Sequence, residues 1–360
     1  MEAGNGQGRE GNERATDDAQ SRLPQRSRTR SLLIGGAIVL GLLFLMVGAI
    51  ALVLIVGPSS GKGGGERVAP ATFKEKYVSG EGTDKIAVLP VTGLIGPQES
   101  EQVPLGSPGV SPETVRDQLR QAAEDADVKA IIFEVNSPGG AVVPTDRIHQ
   151  NILDFKQTTG KPVVVSMDAT AASGGYYIAT AADRIVANQT TLTGSLGVIF
   201  SYLNFAEAAD KLGLEEEVIK SGPFKDIGSS TREPTEEELE ILQTYVDEGY
   251  DQFVRAIVEG RGLSEDRVRE LADGRVYSGL QAQSLGLVDE LGDLDRAAEI
   301  SEDLAGLEEA TVVRYQPRSP GLAELLSSRL TSAKPEAEAL KVLRTAGLSP
   351  TPELQYLYRP

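Results

Sequence analysis

The 360-residue chain has no cysteine and a single histidine. Without thiols it forms neither disulfides nor thiolate metal sites, and it can work in any redox compartment. One histidine leaves few soft metal ligands, so no metal is expected. No glycine-rich phosphate loop, paired-carboxylate signature or metal-ligand spacing stands out, and no cofactor is expected. His149 falls on a predicted helix and reads as a packed or surface side chain rather than a base.

A second absence is more local. Leu32 to Val56 runs for 25 residues without a charge. At about 1.5 Å per residue such a helix is roughly 37 Å long, enough to cross ~30 Å of hydrocarbon with some tilt. Arg22, Arg26, Arg28 and Arg30 precede it, and the exit carries one lysine, Lys62. That bias puts the N-terminus in the cytoplasm and the rest outside, periplasmic or extracellular. A cleavable signal peptide is the competing reading, but its apolar region is shorter and ends in a small-residue cleavage site.

Positive charge is also scarce after this span. The chain carries a net charge of −18, and the part beyond residue 56 holds 29 basic and 48 acidic residues. Such a domain is not expected to bind nucleic acid or anionic lipid heads.

The expected organisation is a polar cytoplasmic arm at 1–31, the anchor at 32–56, a linker at 57–84, a folded domain at 85–317 and a helical tail at 318–360, loosely attached. Within the domain, Ile86–Val91, Ala130–Val135, Val163–Met167 and Arg184–Ala187 read as strands. Helices alternate with them, one capped by Ser111 and Pro112, another marked by Ile148, Ile152 and Phe155, a third following Ser173. This alternation implies an α/β fold on a parallel sheet. Thr235 and Glu238 form a capping box before a long helix with Leu239, Tyr245, Phe253 and Ile257 at helical spacing.

Two short segments carry the chemistry. Ser173 follows an apolar strand and is followed by Gly174 and Gly175, where a strand–turn–helix mount would expose a nucleophile beside free N–H groups. Its bland alternative is a helix N-cap. Lys225 lies 52 residues later, between Phe224 and Ile227. A lysine takes a serine proton only when neutral, so its pKa has to fall from about 10.4 toward 7–8 by desolvation. Asp226 opposes this if it lies close. The bland alternative is a surface lysine. The Pro138-Gly139-Gly140 loop has bare backbone to offer an oxyanion, or is a tight turn. Ser195, in Thr193-Gly194-Ser195-Leu196-Gly197, can orient the lysine amine, or sits in a plain turn.

Taken in order, Ser137-Pro138-Gly139-Gly140, Ala172-Ser173-Gly174-Gly175-Tyr176-Tyr177, Thr193-Gly194-Ser195-Leu196-Gly197-Val198, Phe224-Lys225-Asp226-Ile227-Gly228, Gly274–Gly279 and Gly286–Gly292 closely resemble the signal peptide peptidase A family, in its short single-domain form. The resemblance covers roughly residues 84–315. It implies a repeated ββα superfold like the crotonases and the Clp protease. It also implies a Ser-Lys dyad, with Ser173 as nucleophile, Lys225 as base and Ser195 orienting the lysine. Gly140 and Gly174 map to the oxyanion loops. Rings of subunits that share sites are implied, as are remnant signal peptides and other short or unfolded chains as substrates.

Two other classes remain open at this stage. One is a crotonase-type acyl-CoA enzyme, which would need no Ser-Lys pair. The other is a non-catalytic membrane scaffold that keeps the fold.

Overall fold

The central strands are apolar at successive positions, so both of their faces are buried, as in a parallel sheet covered on each side. The computed structural model describes residues 73–97 and 109–317, and the backbone of 354–357. The span read as a membrane anchor and the arm before it lie outside the described residues. No helix among the described residues is long and apolar enough to cross a membrane.

In chain order the elements are β1 (Phe73–Ser79), β2 (Lys85–Thr92), α1 (Pro112–Glu124), β3 (Val128–Ser137), β4 (Gly139–Ala141), α2 (Val142–Thr159), β5 (Val163–Ala172) and α3 (Gly174–Ala179). Then come β6 (Arg184–Ala187), β7 (Leu192–Gly194), β8 (Ile199–Phe200), α4 (Ala206–Leu212), α5 (Glu236–Arg261) and α6 (Glu265–Leu271). The last are β9 (Val276–Ser278), α7 (Gly279–Ser284), β10 (Glu290–Leu291), α8 (Leu294–Ala305), β11 (Thr311–Pro317) and β12 (Leu354–Leu357).

The main sheet runs β1-β11-β2-β3-β5-β6-β10. All its neighbours are parallel except β1 and β11, so it is a mixed sheet. The two-residue period of a strand sends Leu89, Val91, Ile131, Phe133, Val163 and Val165 to one face. There they meet Val115 and Leu119 of α1 and Ile148, Ile152 and Phe155 of α2. Ile86, Val88, Ala130, Ile132 and Val164 point to the other face, covered by Ala297 and Ile300 of α8. Each of the valine, leucine, isoleucine and phenylalanine side chains among these stabilises the fold by roughly 1.5–3 kcal/mol when fully buried.

Two strands, β1 and β12, lie outside the stretch 85–317 that the sequence marks as the folded domain. β1 sits inside the stretch read as a linker and pairs antiparallel with β11. Its Lys74, Glu75 and Lys76 are exposed, as an edge strand allows. β12 sits inside the stretch read as a helical tail. It pairs antiparallel with β4 on one side and β8 on the other, in a separate three-stranded sheet. Partner edges, rather than local propensity, decide its state. The capping box is present as its sequence predicts. Thr235 Oγ1 accepts from Glu238 N at 3.2 Å and Glu238 Oε2 accepts from Thr235 N at 2.9 Å.

Candidate active site

The C-terminal ends of β3 and β5 are adjacent, and both run into glycine-rich turns. Open α/β sheets place ligand sites at such strand ends. After β3, Ser137 Oγ donates to Gly93 O at 2.6 Å and accepts from Gly139 N at 3.1 Å, which fixes the turn. Gly139 has φ of 101°, a value that side chains rarely adopt. Ile95 N donates to Gly139 O, and Ala141 N donates to Ile95 O, both at 2.9 Å. Gly140 packs so tightly on this segment that a Cβ would lie 1.9 Å from Ile95 O.

β5 delivers Ser173. Its N–H donates to Gly194 O at 2.8 Å, extending the pairing of Ala172 with Gly194. Ser173 is 1% exposed and has φ of 53° and ψ of −114°. That is outside the ordinary left-handed basin, and such backbone costs of order 1–3 kcal/mol. The next residue closes on the first loop: a Cβ on Gly174 would lie 3.2 Å from Gly140 N and 3.1 Å from Gly139 Cα. The N–H groups at the start of a helix have no intrahelical acceptor. α3 is a single short helix of six residues, so individual N–H groups matter here more than a helix dipole. The N-cap alternative for Ser173 fails, since its hydroxyl makes no capping hydrogen bond.

Among the described residues, only one other non-glycine has a positive φ: Ser195, at 49°. It follows β7, whose backbone pairs with the last residues of β5. Its N–H donates to Arg275 O at 2.7 Å. Ser195 also lines a cleft of about 380 Å³ with Val198, Ile199, Tyr250 and Gly274. Both strained serines therefore sit on neighbouring strand ends.

Lys225 is placed differently. It lies in the turns of residues 221–228 and is exposed, whereas Ser173 is buried. Its backbone N donates to Gly222 O at 3.3 Å, and its side chain has no hydrogen bond or ion pair among the described residues. No hydrogen bond joins the Ser173 and Lys225 side chains among the described residues.

The neighbouring Asp226 is occupied elsewhere. It accepts from Arg232 Nε at 3.0 Å and Nη2 at 2.9 Å, and from Lys220 Nζ at 2.6 Å. Arg232 also donates to the buried Glu238, at 2.8 Å through Nη1 and again through Nη2. The Arg232 guanidinium, then Lys220, holds the Asp226 carboxyl well below the usual carboxylate range. This network ties the Lys225 turn to the start of α5. Sequence reasoning missed it, because nothing in the spacing marks Arg232; the Thr235–Glu238 capping box was the only signal nearby.

His149 is not a base for Ser173. Thr180 Oγ1 donates to Tyr177 O, so it accepts from His149 Nε2, 3.1 Å away. The imidazole also meets the Tyr177 ring edge-on, with centroids 5.0 Å apart. Burial lowers its pKa to about 4, so the ring is neutral. Among the described residues no cluster of acids and histidine could hold a metal.

The description "Peptidase family S49" matches residues 155–308. A protein of Enterococcus faecium named "Putative signal peptide peptidase SppA" is 36% identical over 294 residues, covering 79% of this chain and 84% of that one. Protease 4 of Salmonella typhi is 36% identical over 256 residues, covering 70% of this chain and 40% of that one. The chloroplastic serine protease SPPA of Arabidopsis thaliana is 34% identical over 252 residues, covering 68% of this chain and 36% of that one. The chain thus spans well under half of these two longer relatives. With a match over most of both chains in the Enterococcus protein, this chain belongs to peptidase family S49, the family of signal peptide peptidase A, whose members support a serine-type protease here.

Proposed function

We propose that the protein is a membrane-anchored serine endopeptidase that degrades remnant signal peptides and other short or unfolded chains. Ser173 is its nucleophile and Lys225 its general base. The observation that carries this reading is the strained Ser173, held against the Gly139-Gly140 turn and beside Ser195. Strain of this kind persists where the surroundings over-determine it, and it clusters at active sites.

The chemistry runs as follows. Neutral Lys225 takes the Ser173 proton as Oγ attacks a peptide carbonyl carbon. The N–H groups of Gly140 and Gly174 receive the oxyanion, each donor contributing about 3–4 kcal/mol in comparable sites. The lysine ammonium then gives its proton to the leaving amine, and the acyl-enzyme forms. Water, deprotonated by the same lysine, releases the acid. Ser195 accepts from the lysine amine and aims its lone pair at Ser173.

Lys225 comes from a neighbouring copy in this scheme. The segment around it exposes Leu212, Leu214 and Ile219, and the adjoining helix exposes Leu239 and Tyr245, apolar surface that a second copy would bury. Asp226 is engaged by Arg232 and Lys220, and it has no ion pair with Lys225 among the described residues. The uncharged run at 32–56, flanked by arginines, supports an N-terminal anchor with the catalytic domain outside the cytoplasm.

The test is hydrolysis of a quenched Leu/Ala-rich peptide by the full-length protein in detergent, from pH 6 to 10. Wild type should gain activity as pH rises, and Lys225→Ala and Ser173→Ala should each have none. Mixing the two inactive variants through a dissociation step should restore part of the activity. Full activity in Lys225→Ala would defeat the dyad. No recovery on mixing, with assembly intact, would defeat the shared site.

A further inference from the structure

Residues 221–228 form turns rather than helix or strand, so the chain around Lys225 has little of its own to hold it. Its internal bonds are short-range: Lys225 N donates to Gly222 O at 3.3 Å, Ile227 N to Phe224 O at 3.1 Å and Ser229 N to Asp226 O at 3.0 Å. Arg232 ties this segment to the rest of the fold. Its Nε and Nη2 form a fork on the Asp226 carboxylate, and Nη2 also donates to Asp226 O at 3.3 Å. Nη1 and Nη2 take the Glu238 carboxylate as well. Glu238 is 2% exposed and is itself fixed by the capping box of α5. Phe253, Val254 and Ile257 anchor that helix in the core. Asn204 Nδ2 donates to Arg232 O at 3.1 Å and holds the arginine's own backbone. One guanidinium thus joins a packed helix to the residue beside Lys225.

The fork also decides which cation Asp226 serves. Asp226 directly follows Lys225, and a carboxylate within about 4–6 Å of an amine favours its ammonium form. Arg232 engages both Asp226 oxygens, and Lys220 Nζ adds a bond to Oδ1 at 2.6 Å. Lys220 is a point charge on a flexible stem and does not reproduce a planar fork. Around the turn the other charges are acidic. Glu233, Glu236, Glu237 and Glu240 are exposed and line a cleft of about 730 Å³ with Lys220, Phe224 and Arg232. Removing Arg232 leaves Lys220 as the one cation among the described residues that line it. At the receiving end, the Ser195 cleft presents Asp247 and Asp273. Gln243 Nε2 donates to Asp247 at 2.7 Å, and Arg275 pairs with Asp273.

We propose that Arg232 is a positioning residue for the reaction: it engages Asp226 and so keeps it from pairing with Lys225, and it fixes the Lys225 turn to α5. This rests on the Ser-Lys reading above. With Arg232 in place, the lysine reaches Ser173 and Ser195 as a free amine. Without it, the released Asp226 carboxylate turns to the adjacent ammonium, and a higher pH is needed before the amine accepts the Ser173 proton.

The experiment measures kcat/KM of the full-length protein in detergent on a quenched Leu/Ala-rich peptide, from pH 5 to 10. Arg232→Ala should move the acid limb of the profile up by about one pH unit, so activity below the limb falls about tenfold while the alkaline plateau falls less. A purely structural loss would lower the whole profile without moving the limb. Asp226→Asn combined with Arg232→Ala removes the carboxylate too and should return the limb to its wild-type position. Arg232→Ala strands the buried Glu238, so Arg232→Gln combined with Glu238→Gln is a second variant that leaves no unpaired buried charge; its limb should rise equally. A limb that stays in place in both of these Arg232 variants, or that stays raised after Asp226→Asn, would overturn the proposal while leaving the dyad intact. An active Lys225→Ala would instead overturn the dyad and, with it, any part for Arg232 in the reaction. Acetylation of Lys225 by acetic anhydride across the same pH range, read by peptide mass spectrometry, tests the charge relation without using activity. Its midpoint should rise by about one pH unit in Arg232→Ala and return with Asp226→Asn, and a midpoint unchanged in Arg232→Ala would overturn it.

Discussion

Replacing Ser173 by glycine should make the protein more stable than replacing it by alanine, although both changes remove the nucleophile. At φ of 53° and ψ of −114°, any residue with a Cβ is strained, and glycine is not. The strain is of order 1–3 kcal/mol. Glycine gives back about 0.5–1 kcal/mol through the greater freedom of its unfolded chain. The net gain of Ser173→Gly over Ser173→Ala is therefore about 1 kcal/mol. The hydroxyl accepts no capping hydrogen bond, and both variants lose it alike, so its removal does not bias the comparison. For a folded body of this size, 1 kcal/mol corresponds to about 2–4 °C in Tm. Scanning calorimetry on the two variants measures the difference directly. The neighbour serves as a control: Ala172 is buried in ordinary strand backbone, and Ala172→Gly should lose about 0.5–1 kcal/mol. A Ser173→Gly variant no more stable than Ser173→Ala would refute the claim that this backbone stores strain.

Three further outcomes follow from the structure. Asp289 accepts from Arg261 at 2.8 and 2.9 Å and from Ile185 N at 2.7 Å, so Asp289→Ala strands a buried guanidinium and should cost about 3–5 kcal/mol by urea denaturation. His149 is held neutral by burial and by Lys156, against the pull of Asp146, with its pKa lowered to about 4. The unfolded chain takes up its proton near pH 6.5. Stability should therefore be full above pH 6.5 and fall by up to about 3 kcal/mol as pH drops to 4, a slope that His149→Gln should remove in melts taken across that range. Gly140→Ala would drive a Cβ into Ile95 O and displace a proposed oxyanion donor; kcat on a peptide should fall about 10²–10³-fold, and a variant near wild-type kcat would exclude Gly140 from that role.

The central strands and their helices were legible because burial on both faces writes itself as continuous apolar runs, as in Ala130–Val135 and Val163–Met167. The turns after β3 and β5 were legible as glycine pairs following such runs. Edge strands were not. β1 is interrupted by Lys74, Glu75 and Lys76, and its pairing with β11 joins segments far apart in sequence. β12 lies in a Leu- and Ala-rich tail with helical composition, and only its two partner edges make it a strand. Ser173 could be picked out by its neighbours, but its positive φ is a property of the folded turn. At Lys225, sequence spacing raised the objection that Asp226 would hold the ammonium charged. The answer, an Arg232 guanidinium that claims Asp226 and Glu238 together, depends on the turn preceding α5 and has no local signature.

The most direct test of the account is covalent labelling of the full-length protein with a fluorophosphonate, followed by digestion and mass spectrometry. The account predicts a single adduct on Ser173, formed faster as pH rises and absent in Lys225→Ala. An adduct on another residue, or an unlabelled protein that still hydrolyses peptides, would contradict it.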